Sequence, residues 1–255
     1  MEKRRAGSSG LSLSRLGLGT MTWGRDTDEI EAADQCRAFL DAGGNFIDTA
    51  STYGDGDSER VIGGLIGTLF NRDEVIIATK AGIGFSDGVR RIDASRHSLI
   101  AELDRSLSRL GSDFVDIWQI HAWDDATPLD DTLSALDYAY TTGRARYVGI
   151  SNYSGWQIAR AATKQQSNSM KAPLTTVQSE YSLLNRDVEI DSIAVSDESE
   201  QESEQNVAFD DYEDYQEVDT ADNFDTFGGF EEEVAQKVSL PYRDFTVRFG
   251  LVWNF

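Results

Sequence analysis

The chain has 255 residues, of which 40% are hydrophobic and 10% aromatic, and its formal net charge is −22. This length fits one large domain or two small ones, with enough apolar side chains for a core. There is no run of about 18 apolar residues to span a membrane, and no apolar signal segment follows the basic N-terminal residues. The single cysteine, Cys36, suits a reducing compartment. We therefore expect a cytoplasmic protein without a membrane partner.

Most of the negative charge lies in one segment. Residues 187–233 contain 19 acidic residues and no lysine or arginine, whereas residues 1–186 contain 25 acidic and 20 basic residues. The segment has no helical or strand periodicity, and its composition is typical of disorder or of a solvated acidic segment. It would also repel phosphates, which argues against a nucleic acid as a direct ligand. We predict an ordered part at 1–186, an acidic segment of low order at 187–240, and one further strand within 241–255.

The first elements are a strand and a helix. Alternating apolar and small polar residues at 10–20 predict a hairpin or a first strand, with the strand near residues 17–22. Thr22 stands where a dinucleotide-binding loop needs its third glycine, so a Rossmann loop is not predicted. The helix predicted at 28–41 places Cys36 on its apolar face, which makes this cysteine a core residue rather than a nucleophile.

The same alternation continues to about residue 182. Helices are predicted to start with Ser58 as N-cap, to cover residues 99–110, to start at Thr127 and Pro128, and to cover residues 154–164. Strands are predicted to end near residues 48, 80, 121, 151 and 178, about 30 residues apart. Such repeats indicate a parallel sheet covered by helices. We count six β/α units, so the predicted fold is an incomplete α/β barrel of the (β/α)8 TIM type.

Polar residues follow the predicted strands at their carboxyl ends, where (β/α)8 barrels have their active sites. Asp48 and Tyr53 follow one strand, Lys80 the next, and His121 the one after. Each residue alone could be an ordinary polar residue at a strand end; the four in register fit carbonyl reduction. A phenol has a reference pKa of about 10, and a neighbouring ammonium held by a carboxylate stabilises the phenolate. A histidine could orient the substrate oxygen.

Several motifs within residues 10–186 are similar to those of the aldo/keto reductase superfamily, in its branch of bacterial oxidoreductases related to potassium-channel β subunits. The matching segments include F-I-D-T-A-S-T-Y-G at 46–54, I-A-T-K at 77–80, L-x-R-L-G-S-D-F-V-D-I-W-Q-I-H at 107–121, and V-Q-S-E-Y-S-L-L-N-R at 177–186. The resemblance implies that Asp48, Tyr53, Lys80 and His121 are a catalytic tetrad with Tyr53 as the acid.

The resemblance also implies the cofactor and its contacts. NADPH would bind without a Rossmann fold, with Thr20 and Met21 touching it from the first strand. Ser151, Asn152 and Gln178 would bind the nicotinamide carboxamide. No metal site is predicted, and no oligomeric state. The expected reaction is the reduction of small aldehydes or ketones to alcohols.

The sequence after residue 186 departs from the family pattern, because the acidic segment stands where the last barrel units are expected. We therefore expect a truncated or interrupted barrel with impaired activity. The alternative is a non-catalytic family member, or a binding module whose acidic tail contacts a basic partner.

Overall fold

The computed structural model describes residues 1–7, 9–167 and 172–188, together with a strand at 246–249. The strands are β1 (Lys3–Arg5), β2 (Ser12–Ser14), β3 (Leu18–Gly19), β4 (Phe46–Asp48), β5 (Ile76–Ala81), β6 (Ile83–Ser86), β7 (Val89–Ile92), β8 (Val115–Ile120), β9 (Ala145–Ser151), β10 (Leu174–Ser179) and β11 (Thr246–Phe249). The helices are α1 (Glu29–Asp41), α2 (Asp57–Leu65), α3 (Arg96–Leu110), α4 (Leu129–Thr141) and α5 (Gly155–Ser167).

The central sheet of the described chain is parallel, in the order β3, β4, β5, β8, β9, β10, β11. Spatial order follows chain order, so each new strand joins the same edge while the helices occupy the connections. A doubly wound fold would instead reverse its strand order at a switch point. The predicted incomplete barrel of TIM type is therefore confirmed. Two antiparallel hairpins, β1–β2 and β6–β7, lie outside this sheet.

The two faces of the sheet bury different side chains, because successive residues of a strand point to opposite faces. On β8, Trp118 packs into the large cluster formed with the apolar faces of the helices. Its neighbour Ile117 joins a smaller cluster with Ala78 of β5 on the inner face. Leu11 and Leu13 of the first hairpin complete that cluster, so the hairpin covers the inner face.

The inner face becomes polar towards the carboxyl ends of the strands. Ala78 pairs in register with Ile117, and two residues further on Lys80 pairs with Gln119. Gln119 donates through Nε2 to Thr176 Oγ1 of β10 at 3.1 Å. The last inner positions of β4 and β5 are therefore Asp48 and Lys80, above an apolar base.

Two helix starts differ from the prediction. Ser58 is not an N-cap: it lies inside α2, fully buried, and its Oγ donates to Thr20 O at 2.9 Å. Gly56, at φ +87°, precedes the helix instead, because only a residue that tolerates the left-handed region fits there. Pro128 is the N-cap of α4 rather than its first residue. The Thr127 hydroxyl does not cap the helix; it donates to Asp124 Oδ2 at 2.7 Å.

Other predictions can be compared directly with the described residues. Cys36 is fully buried in the core, and burial raises the pKa of its thiol to about 11. None of the helices in the described ranges is long and apolar enough to cross a bilayer.

Most of the predicted acidic segment at 187–240, and of the part at 241–255, lies outside the described residues. Within that last part β11 pairs in parallel with β10, and the division at residue 186 stays a prediction.

Candidate active site

A buried ion pair lies at the carboxyl ends of β4 and β5. Lys80 Nζ donates to Asp48 Oδ1 at 2.9 Å, to Asp48 Oδ2 at 2.8 Å and to Thr49 O at 3.0 Å. Burial alone would lower the pKa of Lys80, but the charges and hydrogen bonds of Asp48 and Tyr53 outweigh it. The pKa of Lys80 therefore lies above its ordinary value. The ammonium stays charged at neutral pH.

Tyr53 reaches this pair from a turn that follows β4. A 3-10 turn over Tyr53–Gly56 begins where Tyr53 N donates to Ala50 O at 3.1 Å. The Tyr53 ring centroid then lies 5.2 Å from Lys80 Nζ. Asp55 adopts φ +55°, which is unfavourable for a residue with a side chain, so the turn holds a strained backbone.

His121 follows β8 and closes the other side of the site. Its backbone N–H donates to Ala81 O at 2.8 Å, and its ring packs edge-on against Tyr53 with centroids 6.0 Å apart. Burial, and then the nearby charges of Lys80 and Arg90, lower the pKa of His121 to about 3. The imidazole is therefore neutral at physiological pH. Its buried Nδ1 has no hydrogen-bond partner among the described residues.

The three residues expected to hold a carboxamide lie beside this group. Gln178 of β10 donates through Nε2 to Asp48 Oδ2 at 3.1 Å, while its Oε1 is buried without a partner in the described chain. Asn152 has φ +57°, and its Nδ2 donates to His121 O at 2.9 Å and to Ser151 Oγ at 3.1 Å. Strand register places Ser151 opposite Gln178. The structure thus brings these three residues to the rim next to the four of the tetrad.

Thr20 and Met21 differ in what they could contact. Thr20 is fully buried, and its Oγ1 donates to Asp48 O at 3.1 Å. Ser58 Oγ donates to the same hydroxyl at 2.7 Å. Thr20 therefore fixes the end of β4, while Met21 is partly exposed. The contact of Thr20 and Met21 with a cofactor stays a prediction.

Sequence reasoning gave no role to two glutamates that brace the site. Glu102 of α3 accepts from Ser51 Oγ at 3.1 Å and from Gly82 N at 3.0 Å, which ties the loops after β4 and β5 together. Burial raises the pKa of Glu102. Glu59 of α2 is fully buried. Glu59 lies one helical turn before the apolar Ile62, on the same face of α2. A charged residue on the apolar face of a predicted helix was the signal that could have identified it.

The parallel sheet with Asp48, Tyr53, Lys80 and His121 at its strand ends is the arrangement that the motif resemblance predicts. The comparisons identify the family. The sequence profile of the Aldo/keto reductase family matches residues 15–199, so the chain belongs to that family. The resemblance inferred from the motifs is confirmed.

Two curated relatives are bacterial reductases. The chain is 35% identical over 194 residues to the aldo-keto reductase YhdN of Bacillus subtilis (strain 168), covering 74% of this chain and 56% of YhdN. It is 39% identical over 194 residues to the L-glyceraldehyde 3-phosphate reductase of Escherichia coli (strain K12), covering 73% of this chain and 55% of that protein. The chain thus spans little more than half the length of these relatives.

A solved structure shows the same fold. An aldo-keto reductase from Bacillus halodurans, in its holo form, superposes with a TM-score of 0.63 at 30% sequence identity. The match covers 74% of this chain and 61% of that one. The described sheet therefore corresponds to part of an aldo/keto reductase barrel.

Proposed function

We propose that this chain carries the site of an NADPH-dependent carbonyl reductase, which converts small aldehydes or ketones to alcohols in the cytoplasm. The observation that carries the proposal is the buried ion pair of Asp48 and Lys80 beneath Tyr53, with a neutral His121 facing the same phenol. The relatives named as reductases support the reaction class.

The residues at the rim fit a nicotinamide carboxamide. Gln178 Oε1 is a buried acceptor that lacks a partner among the described residues, and an amide N–H would satisfy it. Ser151 and Asn152 lie alongside and could bond the rest of the carboxamide. When bound, the nicotinamide would supply the hydride that adds to the carbonyl carbon.

Tyr53 would supply the proton. Addition of hydride places negative charge on the carbonyl oxygen, and the phenol O–H of Tyr53 gives its proton to that oxygen. Lys80 stabilises the phenolate that remains, and Asp48 keeps the ammonium in place and charged.

His121 would orient the substrate. A neutral imidazole has one N–H donor and one acceptor nitrogen, so it can hydrogen-bond the carbonyl oxygen without competing with Lys80 as a charge. Its burial, and the edge contact with Tyr53, hold the ring beside the phenol. The carbonyl oxygen would thus lie between Tyr53 and His121.

A binding and turnover experiment on the full chain tests the proposal. NADPH, and in parallel NADH, is titrated while cofactor fluorescence is followed, and turnover is then measured with a series of small aldehydes. We expect saturable binding of the nicotinamide cofactor and formation of the alcohol. Binding without turnover would favour the non-catalytic alternative, and no binding of either nucleotide would refute the proposal.

A further inference from the structure

A buried carboxylate beneath the Tyr53 turn takes no part in the proposed reaction. Glu59, in the first turn of α2, has no exposed side-chain surface. Its Oε2 accepts from Arg109 Nε at 2.6 Å and from Nη2 at 2.5 Å, and its Oε1 accepts from Thr79 Oγ1 at 2.5 Å. Arg109 belongs to α3 and Thr79 to β5, so one side chain joins three elements.

Both ends of this link touch residues of the site. Thr79 directly precedes Lys80, and the two point to opposite faces of β5. On the other side, Arg109 lies under the turn that carries Tyr53: a Cβ atom at Gly56 would be 2.7 Å from Arg109 Cδ and Nε. The strand of Lys80 and the turn of Tyr53 are therefore connected through Glu59.

The chemistry of this link suits a positioning role. Charge-assisted hydrogen bonds are short and directional, so they fix the separation of two elements more closely than apolar packing does. A buried ion pair is at the same time a weak source of stability compared with apolar residues of similar volume.

We propose that Glu59 is a positioning residue that sets the Tyr53 turn relative to Lys80 through Arg109 and Thr79. This inference rests on the proposed reductase function. Glu59 touches neither substrate nor cofactor; it keeps the phenol within reach of the ammonium.

The chain offers a matched control at the other end of the sheet. Asp116, near the start of β8, is also buried and pairs with Arg72 Nη2 at 2.7 Å. It accepts from Ile77 N at 3.0 Å. Asp116→Asn therefore removes a comparable buried charge without touching the Tyr53 turn.

The experiment compares E59Q and D116N in the full chain, by steady-state kinetics and by hydrogen exchange. We expect E59Q to lower kcat by about 10- to 100-fold, with the KM for aldehyde changed by less than about twofold. Exchange should quicken in the Tyr53–Gly56 turn. D116N should lower the melting temperature without either effect.

Three further outcomes would contradict one of the two proposals. If E59Q lowers the melting temperature as D116N does, but leaves kcat and exchange of the turn unchanged, Glu59 is only structural and the proposal is wrong. If E59Q does not fold, T79V can replace it, because this variant removes only the hydrogen bond from the Thr79 hydroxyl to Glu59. A normal kcat in T79V would likewise show that the positioning proposal is wrong. A wild-type chain without turnover would refute the proposed function alone, since exchange of the turn still tests the positioning.

Discussion

Lys80 and His121 lie in the same site, yet their pKa values move in opposite directions. Burial disfavours the charged form of both. For Lys80 the adjacent Asp48 outweighs burial and raises the pKa, whereas the cations near His121 add to burial and lower its pKa to about 3. Tyr53 therefore contacts one fixed positive charge, on Lys80, and one neutral ring, that of His121. In the proposed reaction, electrostatic stabilisation would therefore fall to the lysine and hydrogen bonding to the histidine.

Replacing Tyr53 by phenylalanine tests the proton donor. The variant keeps the ring that packs against His121 but lacks the O–H, so turnover should fall by about 10²- to 10⁴-fold. The affinity for NADPH should stay nearly unchanged, because the phenol acts only on the proton. Cofactor titration and steady-state kinetics measure both, with Tyr140→Phe in α4 as the control. Wild-type turnover in Tyr53→Phe would show that the tetrad assignment is wrong.

Replacing Lys80 by methionine tests the buried charge. Asp48 would lose both contacts to the ammonium and stay buried, with Gln178 Nε2 still bonded to it. Breaking a buried pair in this way costs about 3–5 kcal/mol in the free energy of unfolding, which urea denaturation can measure. The double variant Asp48→Asn/Lys80→Met leaves no unpaired charge at this site and should lose less. Equal losses in the single and double variants would contradict this explanation.

At the scale of elements, the site depends on how closely β9 and β10 approach. A Cβ atom added at Gly149 of β9 would lie 2.1 Å from Thr176 Oγ1 and 2.4 Å from Thr176 O of β10. The absence of a side chain at this position lets Thr176 accept from Gln119 across the inner face. Two residues later the same strands place Ser151 opposite Gln178. The close approach therefore sets the spacing of the rim.

The same substitution at two glycines should have opposite effects. Gly149→Ala forces the backbones of β9 and β10 apart and should lower the free energy of unfolding by about 1–3 kcal/mol. Gly64→Ala, in α2, meets no atom within 4 Å and should raise it by about 0.5–1 kcal/mol through helix propensity. Urea denaturation of both variants provides the comparison. A stable Gly149→Ala protein with unchanged cofactor binding would show that the approach is not required.

For the whole molecule, the order of the strands and the proximity of the four residues of the predicted tetrad could be inferred from the sequence, because both leave local signals. Each predicted strand end lies within one residue of the end of β4, β5, β8, β9 or β10, since an apolar run stops there at a polar residue. The pairing of Glu59 with Arg109 could not be predicted, because both residues lie within helices and not at the strand ends that signal the site. The β6–β7 hairpin is absent from the sequence prediction, because exposed apolar residues such as Phe85 obscure its pattern.

The pH dependence of overall stability should reflect His121. Its pKa is about 6.5 in an unfolded chain and about 3 in the fold, where burial is the main cause. Between these values the unfolded state binds more protons, so stability is fully present above pH 6.5 and is lost as the pH falls towards 3.

At pH 5 the loss relative to pH 7 should be about 2 kcal/mol from this one group, measured by urea denaturation at both pH values. His121→Asn removes the titrating group and should reduce the difference in the free energy of unfolding between the two pH values by that amount. His97 is the other histidine of the chain and is exposed on α3, so His97→Asn should retain the wild-type difference. If His121→Asn loses as much stability between pH 7 and pH 5 as the wild-type chain, the buried neutral imidazole is not the cause.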